Sequence, residues 1–97
     1  MNTIQLQDLV LCKRALDDYS AIEAAMEQGR KENVKDRLFD LKAIFNNRGA
    51  RSEFRRAHDS LPQTSADLSS FKSDLAASRM YVESYLRKLE EIVAAGS

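Results

Sequence analysis

The sequence predicts an all-α protein: an elongated antiparallel bundle of three rods made from four helical segments, with a long C-terminal heptad helix. The main evidence is the last third of the chain, where apolar residues recur at alternating spacings of three and four. Only Ser78 interrupts the apolar series Leu68, Phe71, Leu75, Ser78, Val82, Tyr85, Leu89 and Ile92. Three Gly, one Pro and no Trp also suit a helical chain with few turns.

The first helix is predicted from a capping signal and an apolar face. Asn2 followed by Gln5 is typical of a capping box, and Gly29 is expected to end the helix after about Gln28. The apolar residues cover nearly half of the circumference, which is wider than a single seam needs. We therefore expect the N-terminal half to be covered on two sides, by the bundle or by a second chain. These residues are Ile4, Leu9, Leu11, Cys12, Leu16, Tyr19, Ile22 and Met26.

Two shorter helices are predicted in the middle of the chain. Asn33 and Asp36 suggest a cap for a second helix over residues 34–47, which ends before Gly49, a residue able to take a positive φ. A third helix is expected over residues 51–60, ended by Leu61-Pro62. Because these two helices together match the length of the first, we expect them to form one middle rod broken near Gly49.

The last helix is expected to be long. Thr64 and Asp67 are its predicted capping pair, and no Gly or Pro interrupts residues 65–95. A helix of this length is about 45 Å long, whereas a compact domain of about 100 residues has a radius of gyration of about 13 Å. The sequence therefore favours one elongated domain over residues 1–97 and a homodimer, since so small a chain buries a limited core.

No catalytic, cofactor-binding or metal-binding site is predicted. Cys12 and His58 are the only residues of their types, and zinc needs more nitrogen or sulfur donors than these two. Asp17-Asp18 and Glu90-Glu91 are adjacent pairs, whose side chains diverge by about 100° on a helix and do not form a dyad. The sequence also lacks the phosphate-loop, dinucleotide-binding, hydrolase-elbow and zinc-protease motifs. We expect a protein that is not an enzyme and has no small-molecule substrate.

Neither a signal peptide nor a membrane span is expected. The N-terminal residues lack a basic region, and the apolar run of residues 9–12 is too short. Cys12 is the only cysteine, so the chain cannot form an intramolecular disulfide. A cytoplasmic protein without membrane contact is the resulting expectation.

Charge is distributed unevenly along a chain whose formal net charge is zero. Residues 1–28 hold 2 basic and 5 acidic residues, residues 30–56 hold 9 and 4, and residues 61–97 hold 4 and 5. The basic excess therefore lies on the middle segment. The basic side chains of this segment would either form ion pairs with the acidic helices on both sides of it or bind the phosphates of a nucleic acid.

Two functions follow from these patterns. The first is a protein–protein interaction or oligomerisation module, whose partner is a second copy of the chain and possibly another helical protein. Its expected interface residues are Leu9, Leu11, Leu16, Tyr81, Tyr85 and Leu86. The alternative is sequence-independent binding of double-stranded RNA. It would use the basic residues Lys35, Lys42, Arg48, Arg51, Arg55 and Arg56.

Several segments resemble the small nodaviral silencing suppressors. The similar residues are 21–26 (Ala-Ile-Glu-Ala-Ala-Met), Asn33-Val34, Leu38, Leu41, Ala43 and Asn47, together with Ser78-Arg79-Met80. The resemblance covers about a third of the chain, and about thirty residues here separate two segments that are adjacent in that family. It implies an all-α dimer that binds double-stranded RNA through basic helix faces, with an RNA contact at Arg79.

Overall fold

The computed structural model describes residues 2–47 and 52–96, and these form four α-helices and no strand. The helices are α1 (Thr3–Glu27), α2 (Lys31–Asn47), α3 (Ser52–Asp59) and α4 (Leu68–Gly96). The 29 residues of α4 make a helix about 43 Å long, which matches the long axis of a molecule measuring 44 × 23 × 19 Å. The predicted all-α fold, with four helical segments and a long C-terminal helix, is confirmed.

Both ends of α1 follow the local signals in the sequence. The Asn2 side chain accepts a hydrogen bond from the Gln5 amide at 2.8 Å, and the Gln5 side chain accepts one from the Asn2 amide at 3.1 Å. At the other end Gly29 takes a φ of 69°, a conformation that only glycine adopts at little cost. The amides of Gly29 and Arg30 donate to the carbonyls of Met26 and Ala25, which is the Schellman arrangement.

The predicted start of α2 is wrong by three residues. The helix begins at Lys31, and the Arg30 carbonyl accepts its first hydrogen bond, from the Val34 amide. Arg30 therefore ends the turn after α1 and caps α2 at the same time. Asn33, expected to be the cap, lies inside the first turn of α2. The predicted helix end near Gly49 lies outside the described residues.

The expected middle rod is replaced by a reversal of the chain between α2 and α3. Helix α4 is antiparallel to α1, as the Tyr85–Asp8 and Ser78–Tyr19 bonds show. It is also antiparallel to α3, as the Ser78–Ala57 bond and the Lys88–Glu53 ion pair show. Helices α1 and α3 therefore run in the same direction, and the Phe45 and Phe54 rings stack with centroids 5.8 Å apart. Among the described residues, backbone contacts join α1 to α2, α2 to α3, α3 to α4 and α4 to α1, and none joins the diagonal pairs. The helices therefore run up, down, up and down around a ring, and residues 60–67 connect the short α3 to α4.

The start of α4 lies at Leu68, three residues later than the uninterrupted stretch suggested. Asp67 is the cap, because its carboxylate accepts a hydrogen bond from the Ser70 amide at 2.8 Å. Thr64 instead lies in a turn that the Ala66 amide closes on the Gln63 carbonyl. The predicted pair of Thr64 and Asp67 is thus wrong for Thr64 and right for Asp67.

The core lies inside the ring and draws on all four helices. The heptad seam of α4 is buried from Phe71 to Leu89 except at the half-buried Tyr85, whereas its two ends, Leu68 and Ile92, are exposed. Tyr19, Ile22, Leu41 and Phe54 are fully buried opposite this seam. Other fully or almost fully buried members are Cys12, Ala15, Leu38, Phe45, Ala57, Leu75 and Val82.

Ser78, the one polar member of the heptad, is fully buried and doubly hydrogen-bonded. Its Oγ donates to the Ala57 carbonyl at 2.6 Å and lies 2.6 Å from the Tyr19 hydroxyl. Because a serine hydroxyl has a single proton, which goes to the carbonyl, Tyr19 must be the donor of the second bond. One serine thus joins α1, α3 and α4. Burial raises the pKa of Tyr19, so its hydroxyl keeps the proton that this bond needs.

Candidate interaction surfaces

One end of the bundle exposes a group of apolar side chains on α1 and α4. We call this group the apolar end; it consists of Ile4, Leu6, Val10, Ile92 and Val93. Their exposed fractions are 52%, 50%, 57%, 39% and 43%. The two helices meet there because α1 and α4 are antiparallel, as shown by the hydrogen bond between Tyr85 and Asp8 near this end and by that between Ser78 and Tyr19 farther along.

The five residues of the apolar end are uncharged, and charged side chains border them: Lys13 and Arg14 follow Val10 by one turn, and Glu90 precedes Val93 by one turn. Within residues 2–12 Asp8 is the single charged residue, and it is fully buried. The Tyr85 hydroxyl donates to the Asp8 carboxylate at 2.6 Å, which holds that carboxylate inside the bundle. Leu6 and Val10 lie about 180° around α1 from Cys12 and Ala15, so they point away from the core. Residues 92–96 of α4 contain no charged residue either.

The residues predicted from sequence as an interface lie deeper than those of the apolar end. Leu9, Leu11, Leu16 and Leu86 are half-buried and pack against the core of their own chain. Tyr85 is also half-buried, and its ring meets Phe54 edge-on with centroids 5.3 Å apart. Burial, and then the bond to Asp8, raise the pKa of Tyr85. Tyr81 is 38% exposed.

The predicted basic residues divide into paired and unpaired groups. Arg79 forms an ion pair with Glu23 of α1 at 2.9 Å and a longer one with Glu83 at 3.8 Å. Arg55 lies 3.9 Å from Asp59 on the exposed face of α3. Lys35, Lys42 and Arg56 are exposed, with no ion pair to any other residue that the structure describes. Arg48 and Arg51 lie outside the described residues.

A second exposed surface runs along the outer face of α2. We call it the α2 ridge; it is formed by Lys31, Lys35, Phe39, Lys42 and Asn46, which follow one another at spacings of four, four, three and four. All five side chains are exposed, and Phe39 is exposed to 72%, the largest fraction of any large apolar side chain described. Phe39 is not among the functional residues predicted from the sequence. Its exposure could have been predicted, because Phe39 lies outside the apolar stripe of α2 formed by Val34, Leu38, Leu41 and Phe45.

Two of the three acidic side chains of α2 lie away from this ridge, because Asp36 and Asp40 line grooves between α2 and α1. Glu32 is exposed beside the ridge, three residues before Lys35 and seven before Phe39. It lies in the first helical turn, where a negative charge complements the helix dipole. Arg37 also faces α1 and binds Asp18 at 3.2 Å. Burial raises the pKa of Asp18, although Arg37 acts in the opposite direction. The ridge therefore carries three positive charges and no negative one.

Cys12 and His58 are the other two residues that the sequence singled out as chemically versatile, and each has an acidic neighbour. Cys12 is fully buried, and burial followed by the nearby Asp8 and Glu53 carboxylates raises its pKa to about 12, so the thiol is poorly nucleophilic. His58 Nδ1 lies 3.3 Å from Asp59. Within residues 2–47 and 52–96, no three His, Cys, Asp or Glu side chains form a group suited to a metal ion. None of the described helices is both long and apolar enough to cross a membrane.

Comparison with known proteins gave no match: no protein-family model, no curated protein and no solved structure matches this chain.

Proposed function

We propose that this chain is a non-enzymatic helical module that forms a homodimer through the apolar end. The observation that supports the proposal is the exposure of Leu6 and Val10 on a helical segment, residues 2–12, whose only charged residue is buried. Leu6 and Val10 lie outside the apolar face of α1 that the sequence predicted. Buried charge is scarce in the centre of protein interfaces, where apolar contact dominates.

A second copy is the partner that the charge pattern favours. In a two-fold symmetric dimer the same surface meets itself, so a charge close to the two-fold axis would face its own copy. A contact centred on Leu6 and Val10 avoids that repulsion, because Asp8, the only charge in residues 2–12, is turned into the bundle. Ile92 and Val93 are exposed at the same end of the bundle, on the neighbouring helix. A second helical protein is the other partner that such a surface could bind.

The test is to measure solution mass for variants of the apolar end. Light scattering after gel filtration is expected to give twice the chain mass of 11.0 kDa for the unmodified protein and one chain mass for Leu6→Glu and Val10→Glu. Each substitution would place a carboxylate at the centre of the interface without disturbing the core. Met80→Glu is the matched control, because Met80 is 67% exposed on another face of α4; it is expected to remain dimeric.

Two results would contradict the proposal: a monomeric unmodified protein, or dimers that persist in both glutamate variants. Leu9→Glu and Leu86→Glu are poorer tests, because these leucines pack against the core of their own chain. Loss of the dimer in those variants could simply report unfolding.

Double-stranded RNA binding remains the second candidate, supported by Lys35, Lys42 and Arg56, which are exposed and form no ion pair within the part of the chain that the structure describes. Arg79 contributes less to it than the resemblance implied, because two acidic residues of this chain already bind its guanidinium. Charge reversal of Arg56 is expected to weaken duplex binding if this candidate is right. We place the module in the cytoplasm, a compartment in keeping with a single reduced cysteine.

A further inference from the structure

We propose that the α2 ridge binds single-stranded nucleic acid, with a base stacked on Phe39 and phosphates bound by Lys31, Lys35 and Lys42. This proposal does not depend on the dimer, since the ridge and the apolar end lie on different helices. It also differs from the double-stranded RNA candidate, because it assigns a contact to an unstacked base.

Phe39 is the most exposed large apolar side chain among the described residues. A phenylalanine left 72% exposed keeps most of its apolar ring in water, and nothing in the described bundle covers it. Aromatic side chains on a positively charged surface are the usual stacking platforms for single strands, because every base has a face that can stack. In a duplex the base faces are already covered by neighbouring bases, so Phe39 would have no partner.

Lysines lie on both sides of Phe39 along the α2 ridge. Lys35 and Lys42 lie one turn before and after Phe39 on the same face of α2, and Lys31 lies one turn farther from it. None of the three lysine ammonium groups forms an ion pair with a residue that the structure describes. The ridge spans about 22 Å along the helix, long enough for several consecutive nucleotides. A phosphate backbone crossing it would meet a cation on either side of the stacked base.

The composition of the ridge argues against a protein partner. Lysine is depleted in protein–protein interfaces, where aromatic residues and Arg are enriched instead, and here three of the five ridge residues are lysines. A single exposed aromatic ring also offers little apolar area for a helix or a lipid surface. An acidic peptide and an anionic vesicle are therefore the competing ligands that the experiment must include.

The experiment measures fluorescence anisotropy of a labelled ten-nucleotide oligouridine at several salt concentrations. We expect binding at low salt, with a slope of about −2 for the logarithm of affinity against the logarithm of salt concentration, as three phosphate contacts on a single strand imply. Phe39→Ala is expected to weaken binding at least about fivefold with the slope unchanged. Lys35→Ala or Lys42→Ala is expected to reduce the slope by about 0.7.

Matched controls come from exposed positions on α4. Lys72→Ala and Met80→Ala remove an exposed lysine and an exposed apolar side chain away from the ridge, and both are expected to leave affinity and slope unchanged. Circular dichroism shows whether each variant keeps its helices, and light scattering reports the dimer separately. A ten-base-pair duplex is expected to bind more weakly than oligouridine and to be insensitive to Phe39→Ala.

The proposal is overturned if oligouridine does not bind at low salt, whether or not an oligoglutamate peptide or a phosphatidylserine vesicle does. It is equally overturned if the duplex binds as tightly as the single strand, or if Phe39→Ala binds oligouridine as well as the unmodified protein.

Discussion

At the scale of single residues, Ser78 shows how a break in a pattern becomes a structural feature. The sequence marks Ser78 as the one polar residue of the heptad but does not identify its partners. Those partners, the Ala57 carbonyl and the Tyr19 hydroxyl, are 21 and 59 residues away. Contacts of such long range depend on how the helices pack, and helical periodicity alone carries no information about them.

Ser78→Ala is expected to destabilise the fold by about 1–3 kcal/mol, because it leaves a buried carbonyl and a buried hydroxyl without their hydrogen bonds. Urea denaturation followed by circular dichroism measures the change in the free energy of unfolding. Ser73→Ala is the control on the exposed face of the same helix and is expected to change stability little. If the two variants were equally stable, the bonds of Ser78 would contribute nothing to the fold.

At the scale of helices, the local signals at both ends of α1 were predicted correctly, whereas the caps expected at Asn33 and Thr64 were wrong. The capping box of α1 joins residues three apart, and the turn at Gly29 joins residues up to five apart. The direction of α3 could not be predicted in the same way. It depends on the stacking of Phe45 on Phe54 across residues 48–51, and the same two apolar stripes would suit a broken rod as well as a reversal.

The cap of α4 supplies a test of local stability that depends on pH. Hydrogen bonds from the Ser70 amide lower the pKa of Asp67 from its usual 3.8, so the folded protein binds a proton there less readily than the unfolded chain. The stabilisation is therefore fully present above pH 3.8 and is lost as pH falls through the lower pKa of the folded state.

Asp67→Ala is expected to lower the thermal midpoint at pH 7, because the Ser70 amide loses its acceptor. The difference in thermal midpoint between Asp67→Ala and the unmodified protein should become smaller as the medium is acidified. Asp67→Asn should keep much of the stability at both pH values, since asparagine also caps helices. Thermal melts of the three proteins at pH 7 and below pH 3.8 measure this. A deficit in Asp67→Ala that did not change with pH would mean that the carboxylate charge is unimportant.

At the scale of the whole molecule, the ring of four helices explains which apolar residues are left for a partner. The sequence suggests that α1 has more apolar surface than one seam can bury. Leu9, Leu11 and Leu16 were the residues of α1 predicted to contact a partner. The ring covers those three in part, and leaves Ile4, Leu6 and Val10 in water. A helical wheel gives directions around one helix, but it does not show where the neighbouring helices end.

The apolar end therefore also predicts how unfolding depends on protein concentration. If the folded state is a dimer and the unfolded state a monomer, each tenfold rise in concentration stabilises the dimer by about 1.4 kcal/mol. The thermal midpoint of the unmodified protein is expected to rise with concentration, whereas that of Val10→Glu stays constant and Phe39→Ala behaves like the unmodified protein. Melts over a hundredfold concentration range measure this. A constant midpoint for the unmodified protein would show that its stability does not come from a second copy, and the apolar end would then need a different partner.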